Sequence, residues 1–341
     1  MNEKALTQPH PYVTVVVPVL NEAPHLAACL DALLHQDYPP DRLEILLVDG
    51  GSTDGSREMA TSYARQHPHI RVLENPEGIA ATALNRGIAA ARGEVIVRVD
   101  GHTLLARDYI RQGVHLLQST GADAVGGPLR PVGRNEVGRA IATAMAHPLG
   151  GGPARFRHAR EPEWVDTVYL GVWRRETLRA LGGFHPCLAA NEDFELYYRL
   201  RQAGGRVLCH PHLRSWTLVR DTWRALWDQY TRYGFWKAQM LRQHPRSLKW
   251  RQVPAPLFVL LLGLSVLLGL WDRRGWWFAG GLLGLYAGIT GLTAWRLVRR
   301  GKNGRGFRVW LAFWVMHFAW GIGFWRGIMH RQPPCPGEKR F

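Results

Sequence analysis

The chain has 341 residues, with 43 Lys and Arg against 27 Asp and Glu and a pI near 10.3. A composition that is 46% hydrophobic and 21% charged excludes a disordered polyelectrolyte, and the length suits about one or two domains. From Pro254 onward there are 12 basic and 2 acidic residues, lying between apolar runs, so the charge excess reads as a membrane-topology signal rather than a nucleic-acid-binding face.

The polar stretch Met1–Val13 lacks the apolar core of a signal peptide, and residues 1–11 are expected to be an N-terminal tail. Short β-rich runs and helical patterns then alternate. Val13–Val19 reads as a buried strand, followed by Asn21-Glu22 and a helix over Pro24–His35. Leu43–Val48 is a second strand, ending in Asp49-Gly50-Gly51-Ser52-Thr53-Asp54-Gly55-Ser56, with a helix to about Gln66. Ile70–Leu73 and an Ala-rich helix over Gly78–Ala91 come next, then Glu94–Val99, ending at Asp100. Continuous apolar strands alternating with helices imply a doubly wound α/β sheet, in which ligands bind at the carboxyl ends of the strands. Beyond Ala124 the pattern loosens. Ala122–Gly126 and Trp164–Trp173 read as strands, the latter with a central Gly171, and a helix over about Asn191–Ala203 is closed by Gly204-Gly205. Thr222–Met240 is aromatic and amphipathic.

Three charge-free segments follow, Pro254–Trp271, Gly275–Trp295 and Val309–Trp325, with Trp residues near their ends as an interfacial belt would place them. The third contains His317, so a buried core helix or a re-entrant path competes with a full span. Arg242, Arg246, Lys249 and Arg251 before the first segment, and Arg296, Arg299, Arg300, Lys302, Arg305 and Arg308 after the second, predict a cytoplasmic N-terminal region. Cys29, Cys187, Cys209 and Cys335 have no paired or metal-ligand spacing and are expected as reduced thiols.

Four elements could carry chemistry. The Gly-rich turn after Asp49 suits a nucleotide's phosphates or ribose but equally a plain turn. Asp100-Gly101-His102 can direct two ligands toward a cation holding a diphosphate, or be a turn. Asn191-Glu192-Asp193 opens a helix, as a cap or as a general base. Gln229-Tyr230-Thr231-Arg232-Tyr233 precedes the apolar segments.

In this order the motifs resemble the inverting family 2 glycosyltransferases of the GT-A fold, closest to the branch of succinoglycan and exopolysaccharide biosynthesis. The resemblance is carried by VVPVLNE (16–22), VDGGSTDGS (48–56), NPEGIAATALNRGI (75–88), VRVDGH (97–102), WVDTVYLGVWRRE (164–176), LAANEDFELYYRLRQAGGR (188–206) and QYTRYGFWKAQMLRQHP (229–245). It implies a Rossmann-like, mostly parallel sheet with flanking helices over residues 12–221. An amphipathic interfacial segment over 222–253, a membrane region of about three helices over 254–330 and a tail over 331–341 complete the expected organisation.

The resemblance also implies roles. Pro18, Asn21, Glu22, Asp49, Gly51, Asn85, Arg86 and Asp100 would bind the nucleotide sugar, with Asp49 on the base. Asp100 and His102 would hold a divalent cation, Mg²⁺ or Mn²⁺. Glu192 and Asp193 form the ED pair, with Asp193 as the base, and Gln229, Arg232 and Tyr233 would meet the acceptor or diphosphate. His102 replaces the second carboxylate of the family's DxD motif, which favours Mn²⁺, and QxxRY replaces QxxRW. The expected activity is transfer of a sugar, UDP-linked, to a polyprenyl-diphosphate-linked saccharide by a multi-pass enzyme of the plasma (inner) membrane, with no nucleic-acid partner. The competing readings are a polyprenyl-phosphate sugar synthase and a non-catalytic nucleotide-sugar-binding subunit.

Overall fold

The computed structural model describes residues 10–301 and 306–330 and divides into two compact units. Most of the N-terminal tail, Lys302, Arg305, Cys335 and the C-terminal tail lie outside the described residues. The first unit comprises the chain up to Arg130 together with Ala159–Thr217. The second comprises Pro131–His158 and the chain from Leu218 onward.

In the first unit, β1 (Val13–Val19), β2 (Leu43–Asp49), β3 (Ile70–Glu74) and β4 (Val95–Arg98) lie parallel in the order β3-β2-β1-β4. Helices α1 (Ala23–Leu34), α2 (Ser56–Gln66) and α3 (Ala80–Ala90) connect them. Both faces of β1 and β2 are covered, so Val13, Val15, Val16, Val17, Ile45, Leu46 and Leu47 are all buried, as an apolar parallel strand requires. One polar pair interrupts this core. Thr14 Oγ1 donates to Glu44 Oε1 at 2.7 Å, and the same carboxylate accepts from the Arg92 amide at 2.6 Å and pairs with Arg71 at 3.4 Å. That satisfaction is what makes a carboxylate only 2% exposed tenable.

Past β4 come β5 (Thr103–Leu105), α4 (Tyr109–Ser119) and β6 (Ala124–Gly127). The chain then forms β7 (Arg130–Val132), α5 (Glu136–Met145), α6 (Pro148–Gly151) and α7 (Arg155–His158), and returns to the sheet. The expected single strand over Trp164–Trp173 is two strands, β8 (Glu163–Val165) and β9 (Tyr169–Arg174). Residues 166–168 separate the two. Within β9, Leu170 has φ 62° and Gly171 φ 131° where the pairing with β6 shifts register, and a Cβ on Gly171 would lie 2.4 Å from Trp173 Nε1. β9 inserts antiparallel between β4 and β6, while β8 pairs antiparallel with β10 (Val207–Cys209) at the sheet edge. The sheet is therefore mixed, with order β3-β2-β1-β4-β9-β6-β10-β8. Its reversal brings the start of β9 to the carboxyl end of β4, since Val97 faces Val172 and Val95 faces Arg174. Between β9 and β10 lie α8 (Arg175–Ala180) and α9 (Glu192–Gln202), and Gly204 follows α9 with φ 84°, the left-handed position expected of a helix stop. β11 (Ser215–Leu218) pairs with β5.

Cys29 and Cys209 are free and buried, and burial pushes both thiols up to about 12, consistent with unreactive reduced side chains. Cys187 departs from the expectation, being disulfide-bonded.

The second unit is helical. α10 (Trp223–Gln243), α11 (Pro254–Gly269), α12 (Arg274–Gly301) and α13 (Gly306–Met329) follow one another, and Thr222 Oγ1 caps α10 by accepting from the Ala225 amide at 3.2 Å. The amphipathic segment expected over 222–253 is mainly α10, and two of its aromatic residues, Tyr230 and Trp236, are buried whereas Trp227 is exposed. α10 and α13 approach to backbone contact through glycine. A Cβ on Gly323 would lie 2.1 Å from the Thr231 carbonyl oxygen, and one on Gly234 would lie 2.0 Å from that of Trp320. All three apolar segments are helices, but only α12 and α13 are long and apolar enough to cross a membrane. The 16 residues of α11 span about 24 Å, short of a ~30 Å hydrocarbon core.

The α10–α13 crossing gives a stability prediction. Gly323→Val drives a branched side chain into backbone that cannot yield as a rotamer can. A loss of about 1–3 kcal/mol is expected, read as a lowered denaturant midpoint against a Gly280→Ala control, a glycine with open space around it.

Candidate active site

The parallel strands end in a cluster of loops on one edge of the sheet. Asp49, the last residue of β2, is only 2% exposed and turns back into its own loop, accepting from the Gly51 amide at 3.1 Å and the Ser52 amide at 3.3 Å. Gly51 takes φ 85°, which an L side chain rarely adopts. The loop is laced to the start of α1. The Asn21 amide donates to Ser52 Oγ at 3.0 Å and the Glu22 amide to Ser56 Oγ at 2.8 Å. Asn21 Oδ1 accepts from the Thr53 amide at 2.9 Å, and Asn21 itself sits at φ 56°. Asp54 joins two helices, accepting from the Ala23 amide at 3.0 Å and from the Ser56 amide at 3.0 Å. Desolvation acts to raise the Asp54 carboxyl, but the hydrogen bonds from the Ser56 side chain and the Ala23 and Ser56 amides together hold it below the usual range.

At the end of β4 the charges concentrate. Arg98 Nε donates to Asp100 Oδ1 and Arg98 Nη2 to Glu192 Oε1, both at 3.0 Å. Burial would raise the Asp100 carboxyl, but Arg98, then His102 and the Tyr169 hydroxyl, hold it below its ordinary value. It is thus ionised at neutral pH. Burial raises the Glu192 carboxyl against the pull of Arg98, and the neighbouring Asp193 raises it further. Glu192 and Asp193 open α9 directly after Asn191, a non-glycine residue at φ 62°. Such a strained start fixes where the pair projects, and strain of this kind concentrates at working sites. Asp193 is partly exposed whereas Glu192 is buried, so the former is the carboxylate open to an incoming group.

His102 lies beside Pro18 and Glu22: its Nδ1 donates to Glu22 Oε1 at 2.8 Å, and a Cβ on Gly101 would lie 3.1 Å from Glu22 Cγ and 3.6 Å from the Pro18 carbonyl. Asp49, Gly51, Pro18, Asn21, Glu22, Asp100, His102, Glu192 and Asp193 are therefore gathered at one edge of the first unit. Asn85 is engaged elsewhere, gripping the backbone of Phe184 in both directions, with Nδ2 donating to its carbonyl at 2.7 Å and Oδ1 accepting from its amide at 2.8 Å. Arg86 pairs with Glu77 at 2.8 Å on the surface. Gln229, Arg232 and Tyr233 lie on α10 of the second unit, where Gln229 Nε2 donates to Tyr233 Oη at 2.9 Å and Arg232 is exposed.

Motif reading missed Arg98, Tyr169 and Phe184. Arg98 left a signal, a lone cation inside the apolar run Val95–Val99. Tyr169 did not, because its position beside Asp100 depends on β9 running against β4. Its hydroxyl meets Thr103 Oγ1 at 2.6 Å and also Thr217 Oγ1.

A mixed α/β sheet with an acidic cluster at the ends of its central strands defines the class of GT-A nucleotide-sugar-dependent transferases. The family described as Glycosyl transferase family 2 matches residues 14–182, and the "Succinoglycan biosynthesis protein ExoA" of Rhizobium meliloti is 32% identical, over 92% of this chain and 94% of that one. The chain belongs to glycosyl transferase family 2 and is a glycosyltransferase. The dolichyl N-acetyl-alpha-D-glucosaminyl phosphate 3-beta-D-2,3-diacetamido-2,3-dideoxy-beta-D-glucuronosyltransferase of Methanococcus voltae is 24% identical, over 73% of this chain and 80% of its own length. Among solved structures, mannosyltransferase PcManGT from Pyrobaculum calidifontis, in complex with GDP-Man and Mn²⁺, superposes with a TM-score of 0.56 at 24% identity, covering 93% of this chain and 90% of that one, and shares the fold.

The Asp54 bridge is testable apart from catalysis. Asp54→Ala removes a cap shared by α1 and α2; because the side chain is exposed, a cost of about 0.5–1 kcal/mol is expected at neutral pH. A depressed carboxylate pKa stabilises above the unfolded value and ceases to do so as pH falls through the folded one. The difference between variant and parent should thus be complete above about pH 4 and shrink below it, as measured by urea midpoints across an acid series.

Proposed function

We propose that the chain transfers a sugar from a UDP-linked donor to a lipid-linked saccharide, with inversion, in the synthesis of a cell-surface polysaccharide. The observation that carries this reading is the pairing of an ionised, partly buried Asp100 with a strained Glu192–Asp193 helix start at one edge of the sheet. Single displacement needs help at two places only. Asp193 takes the proton from the acceptor hydroxyl as its oxygen bonds to the anomeric carbon, and the bond to the diphosphate oxygen breaks with its electron pair leaving on the nucleoside diphosphate. No covalent intermediate and no second flanking carboxylate is required, unlike glycoside hydrolysis. Asp49 and the loop to Ser56 would receive the nucleoside, with Pro18, Asn21, Glu22 and Gly51 lining the same edge.

A divalent cation fits the residues present. Among the described residues no three His, Cys, Asp or Glu side chains form a site by themselves, yet a cation on a diphosphate takes few protein ligands and fills its shell with phosphate and water oxygens. Asp100 is ionised, and the Glu22–His102 hydrogen bond is the carboxylate–imidazole arrangement that orients a ligating histidine. Asp100 and His102 would hold the ion, which when bound would supply charge stabilisation to the leaving diphosphate. The imidazole favours Mn²⁺ over Mg²⁺.

Membrane attachment is supported by the apolar surface of the second unit. Leu264, Leu267, Leu268, Leu270, Trp271 and Trp277 are each at least half exposed, far more apolar surface than water tolerates. We read this unit as inserted, with the catalytic unit cytoplasmic because the basic residues flank α10 and α12 on that side. The name of the Methanococcus relative specifies a dolichyl-phosphate-linked sugar, which supports a lipid-linked acceptor here. Gln229, Arg232 and Tyr233, just ahead of the membrane, would meet that acceptor.

Purified protein with a panel of UDP- and GDP-sugars and lipid-linked acceptors, followed by release of the nucleoside diphosphate, identifies the reaction. Asp193→Asn should bind UDP with near-parent affinity and lose turnover by at least about 100-fold, the scale of a general base; normal turnover would remove Asp193 from that role. Glu22→Gln should weaken Mn²⁺ binding in the presence of UDP by about 10–100-fold, measured by titration calorimetry, and activity should vanish in excess EDTA and return with Mn²⁺.

A further inference from the structure

Arg98 is bonded in a way that its own chemistry does not favour. Guanidinium binds carboxylates best as a fork, two parallel hydrogen bonds to one partner. Here it makes one bond to Asp100 and one to Glu192, and its third nitrogen, Nη1, is buried with no hydrogen-bond partner. A buried donor left unpaired costs about 1–3 kcal/mol, so the arrangement calls for a reason. The surroundings are built to hold the guanidinium while letting it turn. Its Cζ lies 5.9 Å from the centroid of the Phe184 ring, a contact that tolerates rotation of the guanidinium in its own plane. Phe184 is fixed from two sides. Asn85 of α3 grips its backbone, and Arg199 of α9, locked to the fully buried Glu195 at 2.6 Å, donates to the preceding Gly183 carbonyl at 2.6 Å.

We infer that Arg98 is a positioning residue that couples occupancy of the donor-diphosphate residue Asp100 to the placement of the Glu192–Asp193 pair. This inference rests on the glycosyl-transfer reading above. When Asp100 is engaged by the cation-bound diphosphate, its hold on Nε weakens. The guanidinium then closes on Glu192 as a fork, giving Nη1 the partner it lacks. Glu192 is the first residue of α9 and adjoins Asp193, so the closure steadies the carboxylate that receives the acceptor's proton. The donor thereby prepares the base, and the acceptor hydroxyl is activated only when a donor is present.

The test uses the full chain in detergent or nanodiscs, with UDP and Mn²⁺ as the probe and hydrogen exchange over Asn191–Leu196 as the readout. In the parent protein, UDP with Mn²⁺ should slow exchange in that segment at least about threefold. Arg98→Lys keeps the charge and loses the fork. It should bind UDP within about threefold of the parent, show no slowing, and lose kcat at least about tenfold with little change in donor KM. If Arg98→Lys does not fold, Glu192→Gln, which leaves a carbonyl oxygen for Nη2 but removes the charge that draws the fork, should likewise bind UDP and show no slowing. Undiminished kcat or retained slowing in Arg98→Lys would overturn the coupling, as would retained slowing in Glu192→Gln or an absence of slowing in a parent protein that binds UDP. A parent that binds no UDP would instead overturn the nucleotide-sugar reading, and the coupling with it.

Discussion

Three carboxylates converge on one sheet edge, and the Arg98 guanidinium between two of them is what permits it. Like charges about 4 Å apart repel by about 4 kcal/mol at an effective dielectric of about 20, and desolvation adds to that. Asp100 remains ionised because Arg98 is bonded to it, whereas Glu192, more deeply buried and next to Asp193, is raised despite the same cation. One positive charge thus separates two neighbouring acids into one held ionised and one pushed up. Asp193, partly exposed, is the carboxylate that the proposed transfer would use as its base. The chain supplies the geometry: β4 ends at Arg98, Asp100 follows two residues on and bonds back to it, and Glu192 at the start of α9 takes the other side of the guanidinium.

Much of this frame was legible in the sequence, and the part that was not has a common cause. β1, β2, β3 and β4 and the loops after Asp49 and at Asp100 are local features, written in runs of five to eight residues whose periodicity or turn chemistry is sufficient. Non-local pairing is not written that way. The stretch Trp164–Trp173 has the composition of one strand, and its division into β8, which pairs with β10, and β9, which pairs with β4 and β6, is set by non-local partners. The consequence reaches the site, since Tyr169 touches Asp100 only because β9 runs antiparallel to β4. Asn85 illustrates the converse. The motif NPEGIAATALNRGI nominates it for the nucleotide, but the structure uses its amide to secure Phe184, a residue 99 positions away.

The second unit solves a different problem, that of polar groups within apolar helices. His317 lies in the middle of α13, where its Nε2 donates to the Leu149 carbonyl at 2.7 Å and its Nδ1 accepts from Tyr286 Oη of α12 at 2.8 Å. Both ring nitrogens are therefore used, in the neutral tautomer, and the imidazole becomes a joint between α6, α12 and α13 rather than a break in the apolar run. Lys237 is treated in the same way on α10. Only 1% exposed, it donates to Ser247 through the backbone carbonyl at 3.1 Å and the hydroxyl at 3.2 Å. The glycines at 234 and 323 let α10 and α13 touch along their backbones, and Gln239 Nε2 of α10 donates to the Gly327 carbonyl of α13 at 2.9 Å.

These two solutions divide the positive charge of the chain by depth. Arg98 is largely buried and bonded to two carboxylates, and Lys237 is buried against Ser247, so neither adds much to a field outside the protein. Arg232, Arg242, Arg251 and Arg308 are exposed or partly exposed, on or beside helices of the second unit; if that unit is inserted as proposed, each basic side chain near an anionic leaflet would add about 1 kcal/mol of attraction. The excess that first suggests a polyanion-binding protein is thus carried by side chains at the surface of the second unit, while the cation that joins Asp100 to Glu192 is hidden inside a strand that reads as apolar.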